Sequence, residues 1–140
     1  MRFLLALSLA ATLLASGCGA GGRSAEDVVR AWSRALNAGD NEAAAALFAP
    51  GARVVQGGLV TVLATHADAV RWNRGLPCSG KIVDLERSGN DVTATFVLGD
   101  RPASACDGPG DRAAAVFRIR GGHIVLWHQV PAPEPGGVTI

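Results

Sequence analysis

Residues 24–50 read SAEDVVRAWSRALNAGDNEAAAALFAP, and their spacing sets the architecture. Ser24 is a good N-cap, and Asp27 follows three residues on, close to a capping box. Val28, Val29, Trp32, Ala35 and Leu36 fall at helical spacing on one face. Arg30, Arg34 and Asn37 fall on the other, and Glu26 stands one turn before Arg30, spaced for an ion pair. Gly39 is a helix stop, Asp40 caps a second, shorter helix through Phe48, and Pro50-Gly51 closes it. A long helix with a Trp32 ridge needs a sheet to cover it.

Beyond Gly51 the chain reads mostly as strand. Ala52–Gln56 and Leu59–Ala64 form a hairpin across Gly57-Gly58. Thr65 caps a short helix from His66 to Arg74, ended by Gly75 and Pro77. Lys81–Arg87 and Asp91–Leu98 pair across Ser88-Gly89-Asn90, and Gly99–Asp111 is a long polar loop. Arg112–Arg120 and His123–Val130 pair across Gly121-Gly122, and Pro131 ends the last strand. The order predicts an α+β fold: a cone-like curved antiparallel or mixed sheet wrapped over the N-terminal helices. Such a sheet leaves a concave, mostly apolar cleft at its open end, the kind of place where small ligands bind.

Upstream of the domain the chain reads as an address. Met1-Arg2 is positive, and Phe3–Leu14 is an apolar run too short to span a bilayer, which takes about 20 residues. Leu14-Ala15-Ser16-Gly17-Cys18 resembles the lipobox of bacterial lipoproteins, with Ala15 where Leu is commoner. The resemblance implies cleavage before Cys18, lipid on its thiol, and attachment to the extracytoplasmic face of a membrane. The alternative is an ordinary signal peptide with a free Cys near its cut site. The expected layout is a signal peptide at 1–17, a lipidated Gly-rich tether at 18–23, the domain at 24–131 and a loose Pro/Gly-rich tail at 132–140.

Composition narrows the function classes. The chain has 140 residues, 13 basic and 12 acidic, so it lacks the basic excess that nucleic-acid binding wants. Three Cys leave one odd. With Cys18 lipidated, Cys78 and Cys106 remain to form a disulfide outside the cytoplasm, worth ~3–4 kcal/mol in the chain-entropy model. Neither has a second Cys or a His at metal-ligand spacing, and no motif asks for a cofactor.

The pattern also resembles the nuclear transport factor 2-like superfamily, in its SnoaL-like branch. Three stretches carry the likeness: Ala31-Trp32 with Leu36 and Gly39-Asp40, then Ala46–Ala52 with Val54, then Phe117–Ile124 with Trp127-His128-Gln129. It implies a cone with an internal pocket, often dimeric through the outer sheet face. Fold does not settle function. Some relatives are ketosteroid isomerases or polyketide cyclases that use carboxylates for proton transfer; others only bind. Aligning Ala52 and Val54 puts Gln56 where the isomerase has its basic Asp, and Gln is no general base at neutral pH. The isomerase also uses a Tyr, and this chain has none.

Strict alternation puts Ile124, Leu126, His128 and Val130 on one face of the last strand. If that face looks inward, His128 enters the cone as acid, base or ligand donor; if not, Trp127 and Gln129 line it. His66 and Asp68 open the third helix; there Asp68 suits the helix dipole without any catalytic role. Three His far apart in sequence are not a metal signature. Trp32 reads as core, while Trp72 and Trp127 suit a cleft rim or an interface. Arg71, Arg74, Arg101 and Arg112 read as solvated. No catalytic residue is assigned; His128 and Asp68 are the weak candidates, with His128, Gln56, Trp72 and Trp127 expected at a ligand. The leading expectation is an envelope-anchored, non-catalytic module for a small apolar molecule or a partner protein. The runner-up is an isomerase, cyclase or hydrolase using His128 with Asp68 or Gln56, and the third is a purely structural module.

Overall fold

The computed structural model describes residues 23–135. The segment expected to be a signal peptide, Cys18 and the end of the tail lie outside them.

Three helices and six strands succeed one another in chain order. Helix α1 (Ala25–Asn37) is capped by Ser24, whose Oγ accepts from the Asp27 N–H at 3.1 Å. It buries Val28, Val29, Trp32 and Leu36, as the apolar spacing requires. Glu26 pairs with Arg87 at 3.6 Å rather than with Arg30. Helix α2 (Asn41–Ala46) is capped by Asp40, which accepts from the Ala43 N–H at 3.0 Å.

Strand β1 (Phe48–Gln56) corrects the expected boundary. The second helix stops before Phe48, because Phe48 pairs with Ile124 and the Ile124 N–H donates to the Leu47 carbonyl at 2.8 Å. Pro50-Gly51 is therefore not a helix end. It lies in a bulge, where the pairing register shifts between Phe48 and Arg53 and Gly51 takes φ +79°. A bulge has no ladder position to lose, so proline is tolerated there.

Strand β2 (Leu59–Leu63) pairs antiparallel with β1 across Gly57-Gly58, both at positive φ as this tight turn demands. Helix α3 (His66–Arg74) opens with a full capping box between Thr65 and Asp68. Strands β3 (Cys78–Ser88), β4 (Asp91–Asp100), β5 (Arg112–Arg120) and β6 (His123–Val130) complete one sheet in the order β2-β1-β6-β5-β4-β3. β1 and β6 run parallel and the other neighbours antiparallel, so the curved sheet is mixed. The hairpin of β3 and β4 is longer than expected, because Cys78 pairs directly with Asp100. The most exposed large apolar side chains, Leu59, Val60, Val62 and Val83, sit on the two edge strands.

Trp32 is the hub of the core. Its ring lies 5.2 Å from Phe117, 6.2 Å from Phe96 and 6.3 Å from Trp127, centroid to centroid. Its Nε1 donates to Asn73 Oδ1 at 2.9 Å, which satisfies a buried amide that donates in turn to the Ala69 carbonyl. Among the described residues, no helix is long and apolar enough to cross a membrane.

Candidate functional site

Between α1 and the β3–β6 part of the sheet lies a cavity of about 240 Å³. Trp32 and Leu36 line it from the helix, and Phe96, Leu98 and Ala113–Ala115 from the sheet. Polar groups are few: Gln56, Gln129 and Ser79, with Asp107 at the rim beside Pro77 and Cys78.

The last strand determines which side chains enter. Arg118 pairs with Leu126 but Ile119 pairs with Ile124, so β6 carries one extra residue at Val125. This bulge switches the alternation. Ile124 and Trp127 consequently both point inward, at 0% and 6% exposure. Trp127 lines the cavity with Gln129, and His128 is exposed on the other side of the sheet. Of the two alternatives that alternation leaves open, the structure takes the one with Trp127 and Gln129 at the cavity, and the bulge lets Ile124 point inward as well. Trp127 Nε1 is buried with no partner among the described residues, and an unpaired buried donor costs ~1–3 kcal/mol.

The other expected positions separate. Gln56 lines the cavity. Trp72 stays in the aromatic core, with centroids 5.6 Å from Phe48 and 5.0 Å from Trp127, and does not line it. Asp68 binds the Thr65 N–H at 3.2 Å and Arg71 at 3.1 Å. The Thr65 hydrogen bonds, helped by Arg71, hold its carboxyl below the usual carboxylate range. Its work is capping α3. His66 joins Glu42 at 2.7 Å across the α2–α3 surface.

Cys78 and Cys106 are bonded to each other, 28 residues apart in sequence. Asp107 Oδ1 lies 3.3 Å from Cys78 Sγ, a contact without a shared proton because the sulfur carries none. These three residues are close enough together to hold a metal, but disulfide sulfurs offer no thiolate to ligate one.

Arg101 is the residue that sequence reasoning misplaced. It is not solvated but 7% exposed. Its guanidinium donates to the Leu36, Asn73 and Leu76 carbonyls at 3.3, 2.8 and 2.8 Å, and to Asn41 Oδ1 at 2.6 Å. Burial pulls its pKa below the ordinary arginine value. Ser104 Oγ donates to the Pro77 carbonyl at 3.0 Å and the Cys106 N–H to Asp100 Oδ1 at 2.8 Å. Together with the disulfide, these contacts fix the loop between β4 and β5 over the cavity rim. Nothing in the sequence around Arg101 signals this, since its partners come from three distant segments.

No curated protein matches the chain. Solved structures do. An NTF2-like protein of unknown function from Cytophaga hutchinsonii superposes with TM-score 0.63 at 15% identity, over 76% of this chain and 88% of that one. A protein with a ketosteroid isomerase-like fold from Catenulispora acidiphila, complexed with trimethylamine, does so with TM-score 0.63 at 21% identity, over 76% and 85%. A protein provisionally named a polyketide cyclase, from Sinorhizobium meliloti, reaches TM-score 0.59 at 18% identity, over 77% and 100%. Identities this low speak for the fold alone. The SnoaL-like domain family matches residues 29–127, from the first buried turn of α1 to the Trp127 wall of the cavity, and the chain belongs to that family.

Proposed function

We propose that this domain is a non-catalytic binding module whose cavity takes a small, largely apolar ligand. Lipid on Cys18 would hold it at the extracytoplasmic face of a membrane. One observation carries the reading: the cavity is mainly apolar, and apart from Asp107 at the rim its polar side chains are the uncharged Gln56, Gln129 and Ser79. An amide can orient a ligand by hydrogen bonding but cannot take its proton at neutral pH. At about 240 Å³ the cavity falls below the ~300–1,000 Å³ of sites for drug-sized molecules. A fused four-ring ligand would be too large to be enclosed; a single ring or a short branched chain suits it. The trimethylamine found with the Catenulispora protein is of that smaller size class.

The enzymatic alternative loses two of its three named residues, while the third, Gln56, lines the cavity but is no general base at neutral pH. His128 is exposed and Asp68 caps α3, which leaves Asp107 as the carboxylate that lines the cavity. The test is native mass spectrometry of protein purified from its own envelope, with small molecules identified after release. Expected is a compound that is absent from an Ala113→Phe variant, whose added ring occupies the cavity. Recovery of the same compounds from both proteins, or of none from either, would refute the reading.

A further inference from the structure

We propose that the ligand is a small alkylammonium cation, an apolar body carrying one positive charge. This deepens the binding reading and rests on it.

Charge in the lining is one-sided. The chain carries 13 basic residues, yet among the described residues no Arg, Lys or His lines the cavity. The single charged side chain of that lining is Asp107. That carboxylate does not float on a loose loop. Its neighbour Cys106 is bonded to Cys78, the Cys106 N–H donates to Asp100 Oδ1, and Asp107 Oδ1 rests 3.3 Å from Cys78 Sγ. A negative group is thus anchored at the rim of an apolar hole. An anionic ligand would meet repulsion there and no lining cation to offset it.

The wall supplies the second half of the recognition. Trp32, Phe96 and Trp127 all line the cavity. Trp32 stands 6.2 Å from Phe96, edge-on, and 6.3 Å from Trp127, tilted, so the three rings make one contiguous aromatic cluster. Aromatic faces carry partial negative charge and attract cations, Trp most strongly, and the attraction grows where water is excluded. An alkylated ammonium has few or no N–H donors to satisfy, so it tolerates this setting where a bare ammonium would not. Gln56 and Gln129 then remain for a hydroxyl or carbonyl elsewhere on the ligand.

The test compares three probes of one shape against the full chain. Choline carries the cation, 3,3-dimethylbutan-1-ol is its neutral counterpart, and 3,3-dimethylbutanoate carries the opposite charge. Binding is read by calorimetry and by tryptophan fluorescence. Choline is expected to bind about tenfold tighter than the neutral alcohol, with the carboxylate weakest. Asp107→Asn should shrink that preference severalfold while leaving the melting temperature unchanged. If the alcohol binds as tightly as choline, or tighter, the cation proposal fails and the binding module stands. If Asp107→Asn leaves the preference intact, the assignment of the rim carboxylate is overturned. If no probe binds and envelope-purified protein releases no small molecule, the binding reading falls with it.

Discussion

Replacing Arg101 by Met should be the most damaging single change at the surface-loop end of this domain. The guanidinium reaches four acceptors that belong to three separate segments: Leu36 at the end of α1, Asn41 at the start of α2, and Asn73 and Leu76 at the end of α3. Two of these segments are helix C-termini, whose carbonyls carry a partial negative charge. That arrangement offsets the cost of burying a cation without a carboxylate. Met fills much of the same space but donates nothing. The Leu36 and Asn73 carbonyls keep backbone donors, the Gly39 N–H at 3.0 Å and the Leu76 N–H at 3.2 Å. Among the described residues, the Leu76 carbonyl and Asn41 Oδ1 are then the acceptors left without a donor, at ~1–3 kcal/mol each. The sum is limited because the loop can relax and admit water. A loss of about 3–5 kcal/mol is expected, the middle of the range for two such stranded acceptors.

For a domain of this size that corresponds to a fall of roughly 12–20 °C in melting temperature, at about 4 °C per kcal/mol. Urea unfolding followed by tryptophan fluorescence measures it directly. Arg101→Lys separates charge from geometry: an ammonium can serve the α3 carbonyls but cannot span to Asn41 as a planar fork does. It should therefore lie between wild type and Met. A Met variant within about 1 kcal/mol of wild type would show that these hydrogen bonds are replaced by water at no cost, and the clamp argument would be wrong.

Other perturbations test separate parts of the fold. Replacing both Cys78 and Cys106 by Ala should cost ~3–4 kcal/mol, seen as a lower urea midpoint for the variant and for reduced wild type alike. Gly80→Ala should destabilise by ~1–3 kcal/mol, because a Cβ there would stand 2.9 Å from Phe96 Cδ1 while the Gly80 backbone is held by Ser33 and Asn37. Phe96→Leu in the same chain should recover part of that loss. Asp91 is held below the usual carboxylate range chiefly by its hydrogen bond from Arg118, against a smaller opposing effect of burial. A depressed acid stabilises the fold above its unfolded pKa and loses that contribution as pH falls through the folded value. Wild type should thus lose up to about 1 kcal/mol more than Asp91→Asn between roughly pH 5 and pH 2; equal losses would show that the pair contributes nothing.

The parts of this molecule that were legible in its sequence are those whose causes are local. Ser24, Asp40 and Thr65 cap the helices after them, because a cap acts within three residues. The Trp32 stripe and the Gly57-Gly58 and Gly121-Gly122 turns are local too. The Cys78–Cys106 bond needed only an account of how many thiols remained. What failed was whatever depended on an inserted residue or a distant partner. Pro50-Gly51 looked like a stop, yet a parallel neighbour, β6, pulls the chain into a strand around it. Arg101 looked like an ordinary loop arginine, since its acceptors lie 25 to 65 residues away. The extra residue at Val125 had the largest consequence. A period of two is a strong rule until one residue is added, after which every side chain beyond it changes sides. With Ile124 inward, strict alternation would bring the His128 imidazole to the cavity; the bulge brings Trp127 and Gln129 there instead. The register therefore decides between the two faces that strict alternation leaves open, and it sets an indole and an amide against the cavity, with the imidazole on the exposed face.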